Sequence, residues 1–116
     1  MSDWPTPQLL ALAEHVAPGS PLPLRVSVDN PTSTPLAGAS AELTLEIERG
    51  VLLTWNLALR VTPARSRLDD AVLNVAPAWR LPINTGAGVG HFRLVLSGSD
   101  GAWLGETELE LPVVGA

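Results

Sequence analysis

Residues 18 to 32 read Pro18-Gly19-Ser20-Pro21-Leu22-Pro23-Leu24-Arg25-Val26-Ser27-Val28-Asp29-Asn30-Pro31-Thr32. Leu22, Leu24, Val26 and Val28 fall on every second position, with Pro23, Arg25, Ser27 and Asp29 between them, as a strand with one buried face requires. Pro18-Gly19 before this run and Asn30-Pro31 after it are turn signals. The stretch therefore specifies a strand over Leu22 to Asp29, closed at both ends.

The same two-residue period recurs downstream. Ala41 to Ile47 sets Leu43, Leu45 and Ile47 against Glu42, Thr44 and Glu46, and Val51 to Val61 sets Val51, Leu53, Trp55, Leu57, Leu59 and Val61 on one face. A two-residue Arg49-Gly50 loop would put these apolar sets on opposite faces. A loop of Glu48, Arg49 and Gly50 pairs Ile47 with Val51, Leu45 with Leu53 and Leu43 with Trp55, with Gly50 in a left-handed turn position, and this is the expected hairpin. His91 to Ser97 turns Phe92, Leu94 and Leu96 inward. Asp100-Gly101 then reads as a two-residue hairpin loop pairing Ser99 with Ala102, Leu96 with Gly105, Leu94 with Thr107 and Phe92 with Leu109. That register places Trp103, Leu109 and Leu111 inside and Glu106, Glu108 and Glu110 outside.

Two segments are weaker. In Leu9 to Val16, Leu9, Leu10, Leu12, Ala13 and Val16 also fit a helical stripe, but eight residues before Ala17-Pro18-Gly19 are short for a helix, and a first strand is expected after an extended lead-in over residues 1 to 8. Leu68 to Ala76 is expected as a strand following a turn around Pro63. Residues 9 to 114 then form one domain. Seven or so short strands with no expected helix indicate an all-β, immunoglobulin-like two-sheet antiparallel β-sandwich.

Composition bounds the function. The chain has 116 residues, enough for one core without staples, and contains no cysteine, which excludes disulfides, thiolate metal sites and a cysteine nucleophile. Seven basic residues, all arginine, stand against twelve acidic ones, giving a net charge of −5 and a pI near 4.8. Nucleic acid is not an expected partner, because its affinity rests on clustered basic residues. Nor is a membrane, since no apolar run approaches the ~18 residues of a spanning helix. No signal peptide is read at Met1 to Gln8, and a cytoplasmic location is expected if Met1 is the native start. Mean hydropathy is +0.23 with 16% charged residues, an apolar balance for a domain this small.

The pattern Pro18-Gly19, Leu24-x-Val26-x-Val28-x-Asn30-Pro31, Phe92-x-Leu94-x-Leu96, Asp100-Gly101 and Leu109-x-Leu111-Pro112 resembles the immunoglobulin-like or fibronectin-like β-sandwich modules attached to bacterial glycoside hydrolases. The likeness spans residues 18 to 112 and implies a non-catalytic accessory module serving as spacer or docking element. The cysteine pair and central tryptophan of antibody domains are missing, which rules out a close antibody relative. Asn30-Pro31 alone is similar to a motif of a desiccation-associated β-sandwich family.

No catalytic set is expected. Neither a Gly-x-Ser-x-Gly elbow nor a Ser-x-x-Lys motif occurs, and Gly86-Ala87-Gly88-Val89-Gly90 lacks the lysine and following helix of a phosphate loop. His15 and His91 have no metal-ligand spacing, and Glu106, Glu108 and Glu110 read as a solvated edge rather than a calcium site. No cofactor and no metal are expected. Trp55 and Trp103 read as core, whereas Trp79, in Pro77-Ala78-Trp79-Arg80-Leu81-Pro82, either caps an open end of the sandwich or stacks on a sugar with help from Arg80. The outward apolar residues Leu52, Val72, Val95 and Leu104 are a candidate interface. The expected function is a non-catalytic module acting through protein–protein or domain–domain contacts, with another domain or its own copy as partner; the alternative is weak carbohydrate binding through Trp79 and Arg80.

Overall fold

The computed structural model describes residues 4–47, 51–69, 81 and 87–114. Among them are seven strands and no helix: β1 (Thr6–Ala11), β2 (Leu24–Asn30), β3 (Ser40–Ile47), β4 (Val51–Ala58), β5 (Ser66–Leu68), β6 (Gly88–Ser97) and β7 (Trp103–Val113). They form two antiparallel sheets, one ordered β1-β2-β5 and the other β4-β3-β6-β7, packed face to face as a sandwich.

The alternation that specified β2 is what builds the core. Leu22, Leu24, Val26 and Val28 are all buried, and across the sandwich they meet Leu43, Leu45, Phe92, Leu94 and Leu96, each 0% exposed. Leu53 and Trp55 are half-buried and pack against the same cluster. The first hairpin has the expected register, Ile47 opposite Val51, Leu45 opposite Leu53 and Leu43 opposite Trp55. Its loop, Glu48 to Gly50, lies outside the described residues.

Asn30 is more than the end of a strand. It is 0% exposed, and its Nδ2 donates to the carbonyls of Thr34 at 3.0 Å, Thr62 at 3.2 Å and Pro63 at 3.2 Å. Its Oδ1 accepts from the amide of Thr32 at 3.1 Å and the hydroxyl of Thr32 at 2.6 Å. One side chain therefore ties the loop after β2 to the segment leading into β5, where Arg65 takes φ 55° and its amide donates to the Thr32 carbonyl at 3.0 Å. Both strand ends leave backbone groups without ladder partners, and the amide side chain supplies what a buried loop needs.

Two strands are displaced from expectation, and β4 ends at Ala58 rather than Val61, which is 56% exposed. The first strand is Thr6–Ala11, not Leu9 to Val16, with Pro7 opposite Val28; β1 is an edge strand, where a proline removes no needed donor. Val16 instead bridges Val113 of the other sheet in parallel, its amide donating to the Pro112 carbonyl at 2.9 Å. β5 begins at Ser66, inside the expected turn, and pairs Val28 with Leu68; residues 70–80 lie outside the described set. Leu81 is 1% exposed and exchanges hydrogen bonds with the opening turn, Gly19 N to Leu81 O at 2.7 Å and Leu81 N to Ser20 O at 3.1 Å.

The last hairpin holds the largest correction. Gly98 N donates to Ala102 O at 2.9 Å and Gly101 N to Gly98 O at 2.9 Å, so the loop is the three residues Ser99, Asp100 and Gly101, with Gly101 at φ 82°. Ser97 then stands opposite Trp103, but Leu96 stands opposite Gly105, leaving Leu104 as the extra residue of a β-bulge. Beyond the bulge the register is the expected one, Leu94 opposite Thr107 and Phe92 opposite Leu109. Before it, Trp103 shares the outer face with Ser97 and is 62% exposed, contrary to its expected place in the core.

Candidate functional site

Two tryptophans come together at the start of β1 and the start of β7. Pro5 and Pro7 are buried toward the core, which fixes the path of the chain past Trp4, and Thr6 Oγ1 donates to the Trp4 carbonyl at 3.3 Å. On β7, Ala102 N donates to Asp100 Oδ1 at 3.0 Å and holds the turn that delivers Trp103. The two strands approach closely at Gly105, where a Cβ would lie 3.0 Å from Pro7 Cδ. Between them runs an open groove of about 270 Å³ lined by Trp4, Pro5, Thr6, Pro7, Trp103, Leu104, Gly105 and Glu106. Trp4 is 64% and Trp103 62% exposed.

At the rim, Glu106 Oε2 accepts from both Nε and Nη2 of Arg93 at 2.7 Å. Beyond that pair the outer face of β3, β6 and β7 forms a polar cleft of about 350 Å³ with Glu42, Thr44, Glu46, His91, Arg93, Val95 and Glu108. His91 sits between Glu108 at 3.6 Å and Glu110 at 3.3 Å, and an adjoining cleft of about 420 Å³ is lined by Glu46, Ile47, Val89, His91 and Glu110. Among the described residues no three His, Asp or Glu side chains are grouped to hold a metal ion. The Arg93–Glu106 pair on this face is exposed to water, and exposed pairs of that kind contribute little stability.

On the opposite sheet, Ser27 is 3% exposed although it points away from the core. Its hydroxyl donates to Asp69 Oδ1 at 3.1 Å, and Arg67 reaches across to Gln8 Oε1 at 2.7 Å and to Asp69 at 3.3 Å. These partners satisfy the hydroxyl and cover it.

Of the residues singled out from the sequence, Trp79, Arg80 and Val72 lie outside the described residues. Leu52 occupies β4 opposite Glu46. Val95 and Leu104 do not line the same surface: Val95 belongs to the polar cleft, whereas Leu104 packs against the core and lines the tryptophan groove. The pair that the sequence did not bring together is Trp4 and Trp103. A three-residue reading of the Ser99-Asp100-Gly101 loop is the signal that would have turned Trp103 outward. No protein-family model matches the chain, and no curated protein of similar sequence is found.

Proposed function

We propose that this chain is a non-catalytic β-sandwich module that acts by contact with another protein or domain, and that the groove of Trp4 and Trp103 is its contact surface. The observation that supports this reading is the exposure of two tryptophans in one groove. Tryptophan is the residue type most enriched among the few that dominate binding energy at interfaces. Leaving Trp103 out of the core forgoes roughly 3 kcal/mol of burial, and the device that leaves it out is a bulge, a feature that re-aims side chains near working surfaces. A docking role also agrees with the resemblance to accessory modules.

A second reading has its own support. Carbohydrate stacking needs at least two aromatic faces on one surface, and Trp4 and Trp103 meet that requirement beside the Thr6 hydroxyl and the Arg93–Glu106 pair. This reading adds Trp4 and Trp103 to Trp79 and Arg80 as candidate sugar contacts.

Parallel peptide and neutral-glycan arrays probed with wild type and Trp103→Ala distinguish the two. Peptide signals that vanish in the variant support protein contact, and glycan signals that vanish support the second reading. Signals on either array that Trp103→Ala leaves unchanged, or no signal on both, would remove the groove from the account.

A further inference from the structure

Register arranges the outer face of β3, β6 and β7 in three rows. Val95 stands between Glu42 and Glu106, Arg93 between Thr44 and Glu108, and His91 between Glu46 and Glu110. All five glutamates are exposed, and Arg93, the one arginine in these rows, is already engaged by Glu106 at 2.7 Å. With histidine counted neutral the three rows carry a net −4, whereas the whole chain carries −5. Successive outward residues of a strand lie about 6.5–7 Å apart, close enough for Glu106, Glu108 and Glu110 to repel one another while packing against nothing in the core.

These rows run directly into the tryptophan groove. Glu106 lines the groove, and its partner Arg93 lines the cleft that holds Glu42, Glu46 and Glu108. Trp103 stands on the same face, opposite Ser97. One continuous surface is therefore apolar at its Trp103 end and acidic along the rest of β7.

We infer that the occupant of the groove is an extended basic segment of a partner protein, with an apolar side chain seated between Trp4 and Trp103 and lysine or arginine over Glu108 and Glu110. The inference rests on the reading of the groove as a contact surface and adds the chemistry of the partner, for which charge complementarity is the ground. Trp4, Pro5, Pro7, Trp103 and Leu104 give the groove walls that suit an apolar anchor. From Trp103 to Glu108 the strand advances five residues, one of them in the bulge, which is about 13–16 Å and is covered by four or five residues of an extended peptide. An acidic segment or a nucleic acid meets repulsion along the same path, so the face selects among partners as well as attracting one.

Selection from a phage-displayed library of random peptides about 12 residues long, run in parallel on wild type, Trp103→Ala and Glu108→Gln/Glu110→Gln, tests the inference. Trp103, Glu108 and Glu110 are all exposed, so the variants keep the fold. Wild type is expected to select peptides with lysine or arginine four or five residues from an apolar side chain. A synthetic consensus peptide is expected to bind either variant about tenfold more weakly at low salt, and its affinity for wild type to fall severalfold between about 50 and 500 mM salt, with a smaller fall for the glutamine variant. Peptides that need Trp103 but carry no basic excess, or whose binding the two glutamines leave unchanged, would overturn the inference and leave the groove as a contact surface. Basic peptides that Trp103→Ala retains equally, or no selected peptide at all, would overturn both.

Discussion

Trp103 stands opposite Ser97, on the face of the sheet that looks away from the core. Its position follows from a loop one residue longer than Asp100-Gly101 alone suggests. The bulge at Leu104 then takes back that one residue, so Phe92 and Leu94 keep the partners that core packing demands. Gly101 is the hinge of the arrangement. Its φ of 82° is strained for any residue with a Cβ, although nothing lies within 4 Å of where that atom would sit. Gly101→Ala is therefore expected to lower stability by about 1 kcal/mol through backbone strain alone, and Gly101→Asn by less. Urea denaturation of the three proteins checks the order.

Asn30 is expected to be the most sensitive polar position. Asn30→Ala leaves the Pro63 carbonyl without its donor and takes one of two donors from the carbonyls of Thr34 and Thr62, which keep the Thr32 hydroxyl and the Leu36 amide, at a loss of about 2 kcal/mol, and Asn30→Asp does no better because a carboxylate cannot donate to them. Equilibrium unfolding measures both, and an effect below about 1 kcal/mol would contradict the role given to this side chain.

Thr62 gives the opposite expectation. It is 0% exposed and its hydroxyl has no hydrogen-bond partner among the described residues, while its carbonyl serves Asn30. Thr62→Val keeps the shape and the carbonyl and removes the unpaired oxygen, so stability is expected to hold or to rise by up to about 1 kcal/mol. A marked drop in melting temperature would show that the hydroxyl is bonded after all.

The Arg93–Glu106 pair, short as it is, lies at the surface, with side chains 50% and 33% exposed. Glu106→Gln is expected to change stability by less than about 1 kcal/mol and to show little further response to added salt. Phe92→Ala, by contrast, removes a 0% exposed ring between the sheets and is expected to lose about 3–5 kcal/mol. The contrast between these variants in one denaturation series separates what holds the sandwich together from what decorates it.

Alternation was enough to place β2, β3, β4 and β6 and most of the faces they bury, because a two-residue period carries that information directly, but it carried β4 on to Val61, which lies past the strand's end at Ala58 and is 56% exposed. Register across the first hairpin followed from matching the faces of Ile47 and Val51. Across the second hairpin the same logic gave the right partners for Phe92, Leu94 and Leu96 but the wrong side for Trp103, since a longer loop and a bulge cancel beyond Gly105. β1 was misplaced because Pro7 looks like a breaker until its edge position is known. The tryptophan groove was hidden for a related reason: Trp4 and Trp103 lie far apart in the chain, and only the close approach of Pro7 to Gly105 joins them.

The proposed contact role requires Trp103 to be held outward rather than packed for the fold. Its most direct test is the unfolding free energy of Trp103→Ala. With the side chain 62% exposed, the variant is expected to stay within about 1 kcal/mol of wild type, and a loss of about 3 kcal/mol or more, as for an aromatic removed from a core, would contradict the claim.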